Sequence, residues 1–260
     1  MNELLTFFAV LVRYSVLFAI VPILGDRVIP VPIKILCSLG ITAALYPALV
    51  MNGSVQPDRV MIWGASASQI ITTITLEVLF GLALGYCAKL VFDGISFGAN
   101  LTGNFMGFAA ASVFDPHQES QTEVIGQLQT VLAMLLFLAI DGHHIFLRAA
   151  MDSYKIVGIG ELSLGGLFSR QIIQMTGDTI ILGLQISAPV AVSLFLVNIV
   201  YGMMAKSMPQ LNVLVLSFSV SAILGLVILM ISIPEFNSVV GDSFAGLYER
   251  LRNVMSVMHG

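Results

Sequence analysis

The chain has 260 residues, of which 57% are hydrophobic and only 10% charged, with a formal net charge of -4. Soluble domains carry about 45–50% apolar and roughly 25% charged residues, so a soluble enzyme with an ordinary polar surface is excluded. No basic excess exists to neutralise phosphates, which removes nucleic-acid binding, and so apolar a chain is not disordered.

A membrane span needs about 20 mostly apolar residues. In chain order, segment 4–24 qualifies with Arg13 near its centre, and 35–51 follows, closed by Asn52-Gly53-Ser54. A long helix is expected over roughly 62–88, carrying Glu77. Segments 124–140, 179–205 and 207–234 complete a set of six, the last two separated only by Lys206. Pro189 inside 179–205 is expected to kink its helix. The N-terminal Met1-Asn2-Glu3 lacks a basic start and no small-residue cleavage site follows, so the first segment is expected to be retained. Lys and Arg are too evenly divided between the two sets of loops to set a topology.

Segment 94–114 holds no charge but is rich in glycine: Gly94, Gly98, Gly103 and Gly107 recur every four or five residues. Such spacing permits close helix packing, while each glycine weakens a helix by about 1 kcal/mol relative to alanine. We read 94–122 as a broken, glycine-softened element lining a cavity, because irregular backbone at membrane depth needs protein or a water-filled cavity around it. An ordinary, tightly packed helix is the competing reading. The stretch from Met106, Gly107 and Phe108 through Val113, Phe114, Asp115 and Pro116 begins apolar and small, then stops at Asp-Pro before the polar run 118–123. It describes an apolar loop with a hydrophilic hinge, able to fold into a lumen and block it.

After Pro234, the residues Phe236, Val240, Phe244, Leu247, Leu251, Val254 and Met258 repeat every three or four positions. That is an amphipathic helix over 235–260. Its mixed charges favour packing on protein over lying on lipid.

Chemistry-bearing motifs are few. Gly94-Ile95-Ser96-Phe97-Gly98 matches the string of serine hydrolases, but no strand precedes it. Nucleotide, metalloprotease and dithiol motifs are absent, Cys37 and Cys87 both lie in apolar runs, and no enzyme activity or cofactor is expected. His143-His144 after Asp141-Gly142 reads as an interfacial turn. Arg13, Glu77 and Lys89 are the intramembrane charges, and Glu77 and Lys89, 12 residues apart, do not share a helix face. Pairing of Arg13 with Glu77 across two helices, fixing their packing, is preferred to a role in an ion path. Met106, Met203, Met204 and Met208 sit beside expected breaks and read as core filling or as a soft seal.

Several of these stretches carry a resemblance. Pro22-Ile23-Leu24-Gly25, Ile29-Pro30 and Lys34 look like the first loop of the flagellar biosynthetic protein FliR family. Glu77 to Gly85 looks like its Glu-bearing, glycine-spaced helix, and Asp141-Gly142-His143 stands where the family often has Asn-Gly-His. Met208-Pro209-Gln210-Leu211-Asn212-Val213 resembles its Ala-Pro-Gln-Met-Asn signature through Pro209, Gln210 and Asn212. Ser217 and Ser219 replace the family's following Gly and Pro, so a straighter helix is expected there.

The resemblance implies an all-α, multi-helix integral membrane-type protein of broken hydrophobic hairpins, with a Gly-rich apolar plug loop and a C-terminal amphipathic helix. It implies one export-gate domain over 1–260, with 94–122 as plug region and 235–260 as a partner-packing tail. The family is the R subunit of the type III secretion export gate. It assembles with P and Q subunits around a pore for unfolded flagellar substrates, beside the B subunit, in the bacterial inner membrane at the flagellar basal body. Gly103, Met106, Gly107, Phe108, Val113, Phe114, Asp115 and Pro116 are then plug or gate residues. A small-molecule or ion secondary transporter is the alternative, although no convincing internal repeat joins the two halves. The isolated chain is expected to be unstable.

Overall fold

The computed structural model describes residues 2–22, 29–108, 121–163, 165–208, 210 and 213–259. Among the described residues the secondary structure is helical and contains no strand. The helices are α1 Asn2–Ile20, α2 Val31–Met51, α3 Val60–Trp63 after a 3₁₀ turn at Pro57–Arg59, and α4 Ala67–Phe105. They continue with α5 Gln121–Ala139, α6 Gly142–Ile156, α7 Gly166–Ser207, α8 Val213–Ile231, α9 Ile233–Ala245 and α10 Leu247–His259.

Four helices are long and apolar enough to cross a membrane, and up to six if each broken pair, α5 with α6 and α8 with α9–α10, counts as one span. Among the described residues, each of the six expected apolar segments contains a helix. Pro47 and Pro189 lie inside helices that continue past them, and each removes one main-chain N–H donor from its helix.

The chain forms two compact units. The first comprises Met1–Leu90, Asp141–Thr176 and Ala245–Gly260. In it α1 packs on α2, with Phe7 and Tyr46 in edge contact at 5.4 Å and the Tyr46 hydroxyl donating to the Glu3 carbonyl. Helix α10 packs on α6, burying Leu247, Leu251, Val254 and Met258. The Tyr248 hydroxyl donates to Asp152 Oδ2 at 2.7 Å on the same contact.

The second unit comprises Val91–Ile140 and Gly177–Phe244. Phe92, Phe137 and Phe244 form a three-ring cluster with centroids 5.0–5.3 Å apart. A further cluster joins Met106, Ile125, Val190, Leu194 and Leu229.

Two expectations need correction. The stripe after Pro234 is helical and buried as read, but a turn at Gly246 splits it into α9 and α10. Its apolar stripe is buried within this chain. The second correction concerns residues 94–105, which are not a broken element but the end of α4. Glycine weakens a helix because its backbone loses more conformational freedom on folding than that of any other residue; here its missing side chain is what lets another helix approach. A Cβ on Gly94 would lie 2.9 Å from the Thr179 carbonyl oxygen, and one on Gly98 would lie 2.6 Å from that of Gly183. The close-packing reading prevails through Phe105.

Candidate functional site

The first candidate centres on Arg13, contributed by α1. Its guanidinium and the carboxylate of Glu77 on α4 are both 1% exposed. Arg13 Nε donates to Glu77 Oε2 at 2.5 Å and Nη2 to Oε1 at 3.0 Å, a two-pronged match of fork to carboxylate. Nη1 donates to Ser153 Oγ at 3.2 Å and to the Val157 carbonyl at 3.1 Å, and Nη2 also reaches the Gly158 carbonyl at 3.2 Å. All five guanidinium hydrogens are thereby used. Glu77 accepts two further bonds, from the Gly160 N–H at 2.9 Å and the Tyr154 hydroxyl at 3.3 Å. The guanidinium carbon lies 4.1 Å from the Phe80 ring centre and 3.8 Å from that of Tyr154.

Local sequence explains why these groups meet. Gly81 and Gly85, one turn apart on α4, let it touch α1: a Cβ on Gly81 would sit 2.8 Å from the Arg13 carbonyl oxygen, and one on Gly85 3.3 Å from that of Leu17. Gly160, at φ +75°, turns the chain after α6 so that its N–H faces Glu77. The sequence pointed to Arg13 and Glu77 but not to Ser153, Tyr154, Val157, Gly158 or Gly160. The only signal for them was the Gly-Ile-Gly turn that follows α6.

A buried ion pair with every donor and acceptor position occupied fixes geometry. The fully used acceptor sites of Glu77 favour that packing role over a place in an ion path. A cavity of about 610 Å³ borders the 158–161 turn, lined by Asn52, Trp63, Lys155 and His259 among others. Arg59 and Glu161 approach to 3.6 Å on its exposed rim.

The second candidate is the expected gate segment. Gly103 is buried in α4, inside the helix rather than in a loop. Met106 is 1% exposed at the centre of the second unit's aliphatic cluster, and Phe108 packs against the same cluster. Between them Gly107 takes φ +87°, and a Cβ on it would meet the Phe218 ring at 3.1 Å. The α4 helix therefore ends on a left-handed glycine that no other residue replaces without strain. Val113, Phe114, Asp115 and Pro116 lie outside the described residues, as do Pro209 and Asn212 of the Met-Pro-Gln-Leu-Asn stretch. Gln210 is exposed in a turn. Met203 and Met208 are exposed, whereas Met106 is core.

The hydrolase string fails on geometry, since Gly94, Ser96 and Gly98 sit within α4 and not on a strand-to-helix elbow. Asp141, His143 and His144 gather at the exposed start of α6, with Asp141 at φ 55°. That end of a helix carries positive dipole character, which opposes a cation.

Long apolar helices tied together by glycine contacts and a buried, saturated ion pair define a polytopic helical membrane protein. Sequence comparison makes the assignment particular: residues 4–247 match the bacterial export proteins, family 1, and the chain belongs to that family. It is similar to the flagellar biosynthetic protein FliR of Bacillus subtilis (strain 168), 26% identical over 97% of this chain and 95% of that one. The Escherichia coli (strain K12) FliR is 25% identical over 96% and 92% of the two chains. That of Borreliella burgdorferi is 31% identical over 61% and 60%. The resemblance carried by the sequence motifs is thus shown at the level of the family.

Proposed function

We propose that this chain is the R-type subunit of a flagellar type III export gate. It forms, with P and Q subunits and next to the B subunit, a pore through which unfolded flagellar substrates leave the cytoplasm. The setting is the bacterial inner membrane at the flagellar basal body. Support comes from the flagellar names of its relatives along nearly their whole length. It comes also from helices that this chain leaves largely uncovered: only 17% of the apolar window of α2 is buried within it. Uncovered apolar surface on this scale belongs against lipid or other subunits. Residues 1–260 then act as one export-gate domain.

The observation that carries the gating part is the root of the plug. Met106 and Phe108 are anchored in the aliphatic cluster, and Gly107 between them turns the chain at the end of α4. The segment that follows, through Val113 to Pro116, is the plug, with Phe108 held at its base and Val113 and Phe114 supplying apolar closure. Met106 is its fixed anchor and Gly107 its hinge.

The test replaces 109–116 by a Gly-Ser linker and leaves Met106 and Gly107 in place, so that the core is not disturbed. The assembled gate should then leak small solutes across the inner membrane. An intact permeability barrier in a complex of normal abundance would overturn the plug assignment.

A further inference from the structure

The turn that leaves α6 joins the buried ion pair to the far end of the chain. Among the described residues, 158–163 are tied to other elements through three main-chain groups. The Gly158 carbonyl accepts from Arg13 Nη2 at 3.2 Å, and the Gly160 N–H donates to Glu77 Oε1 at 2.9 Å. The third is the Ser163 N–H, which donates to the Met258 carbonyl at 2.9 Å. Met258 lies in the last turn of α10, where carbonyls have no helical donor of their own. Ser163 therefore caps α10, and α10 in return holds the far end of the turn.

The turn has space to move into. The cavity of about 610 Å³ is walled by Gly158, Ile159, Gly160 and Glu161, and also by His259, the residue after Met258. Asn52, Arg59 and Glu161 are exposed at its rim, so it opens to solvent. Tyr154 belongs both to the cavity wall and to the ion pair, since its hydroxyl donates to Glu77 Oε2 at 3.3 Å. One layer of residues thus separates an open cavity from two charges that are each 1% exposed. The helix that pins this layer is a short one. At 13 residues α10 is marginal as an isolated helix, and it keeps its form by burying Leu247, Leu251, Val254 and Met258 on α6. Glu249, Arg252 and Asn253 make its exposed outer face. Elements of this kind open locally before the rest of a domain unfolds.

We propose that α10 is a latch on the buried ion pair. Docked, it holds the 158–163 turn across Glu77 through the Met258–Ser163 bond. Undocked, it lets the turn swing into the cavity and water reach Arg13 and Glu77. That pair fastens α1 to α4, so the state of α10 sets how firmly the two helices are held.

The test follows water access to the pair in the intact assembly in host membranes. Ser153, 0% exposed and bonded to Arg13, becomes the reporter as S153C, in a C37S background that removes the exposed cysteine. Thr42 of α2, equally buried, is the control as T42C. A charged, water-soluble thiol reagent reads both positions. S163P removes the N–H that reaches Met258, and V254D puts a charge into the buried seam under α10. Labelling at 153 should rise about fivefold with S163P, the effect of one lost hydrogen bond. It should rise at least as much with V254D, while labelling at 42 stays flat. S163P leaves the apolar seam intact, so it carries the test where V254D lowers the yield of protein. No rise at 153 with either variant would overturn the latch. A rise with V254D but not with S163P would overturn the Met258–Ser163 bond as its link. Equal rises at 153 and 42 would mean general loosening and would overturn it as well.

Discussion

The side chain of Met106 occupies the space that a Cβ on Gly225 would take: its Cγ lies 2.5 Å, its Cε 2.9 Å and its Sδ 3.1 Å from that position. One residue precedes the hinge at Gly107 and the other is inside α8, so the missing side chain of Gly225 is what seats the root of the proposed plug. Gly225→Ala should cost about 1–3 kcal/mol by overpacking, since the Cγ cannot swing away as a side-chain tip can. Met106→Ala should cost about 2–5 kcal/mol by opening a cavity. Together they should cost less than the sum, and a thermal unfolding cycle on the detergent-extracted assembly measures that coupling. Strict additivity would show that the two do not share this space.

Removing either partner of the buried ion pair strands the other. Arg13→Ala or Glu77→Ala should each cost about 3–5 kcal/mol and lower the amount of protein in the membrane sharply. The Arg13→Leu, Glu77→Leu double variant should recover part of that loss, because two apolar side chains need no partners. Quantitative immunoblotting of membranes decides the matter, and a double variant no better than the worse single one would contradict it.

Glycine positions should divide by what faces them. Gly98→Ala pushes a methyl against the Gly183 main-chain carbonyl, which cannot rotate away, and should separate α4 from α7. Gly40→Ala, in α2 with nothing within 4 Å of the new atom, should be neutral or stabilising by up to about 1 kcal/mol. Comparing the thermal stability of the two variants isolates the close-packing role from helix propensity. Equal effects would refute it.

The Tyr248 hydroxyl ties α10 to Asp152 of α6. Tyr248→Phe keeps the ring and removes the bond, and should cost about 1 kcal/mol at this half-exposed position. Faster proteolytic clipping of 247–259 is the readout, with Asp152→Asn expected to give a smaller change in the same direction.

The apolar segments, the stripe from Phe236 to Met258 and the glycine spacing on α4 were legible because each is a periodic signal within one helix. The course of α4 was misread. Lys89 and Asp93 look like the end of a span when charges are counted along the chain, yet residues four apart share one helix face and need not interrupt it. The break at Gly246 was missed because an apolar stripe continues in phase across a short turn. Gly94, Gly98 and Gly107 read alike in sequence, but only Gly107 ends a helix. A glycine's effect depends on whether another backbone lies opposite it.

Composition alone determined that this is a membrane-type helical protein, since too few charges exist to cover a soluble surface. Periodicity determined which residues of the tail would be buried. What only the tertiary structure decided is where polar groups find partners: Arg13 spends its five hydrogens on Glu77 and on Ser153, Val157 and Gly158, at separations of 64 to 145 residues. Hydrophobic burial is non-directional and leaves its pattern in local sequence. A hydrogen bond is directional and of short reach, so its partner is set by how distant segments pack and leaves no local trace.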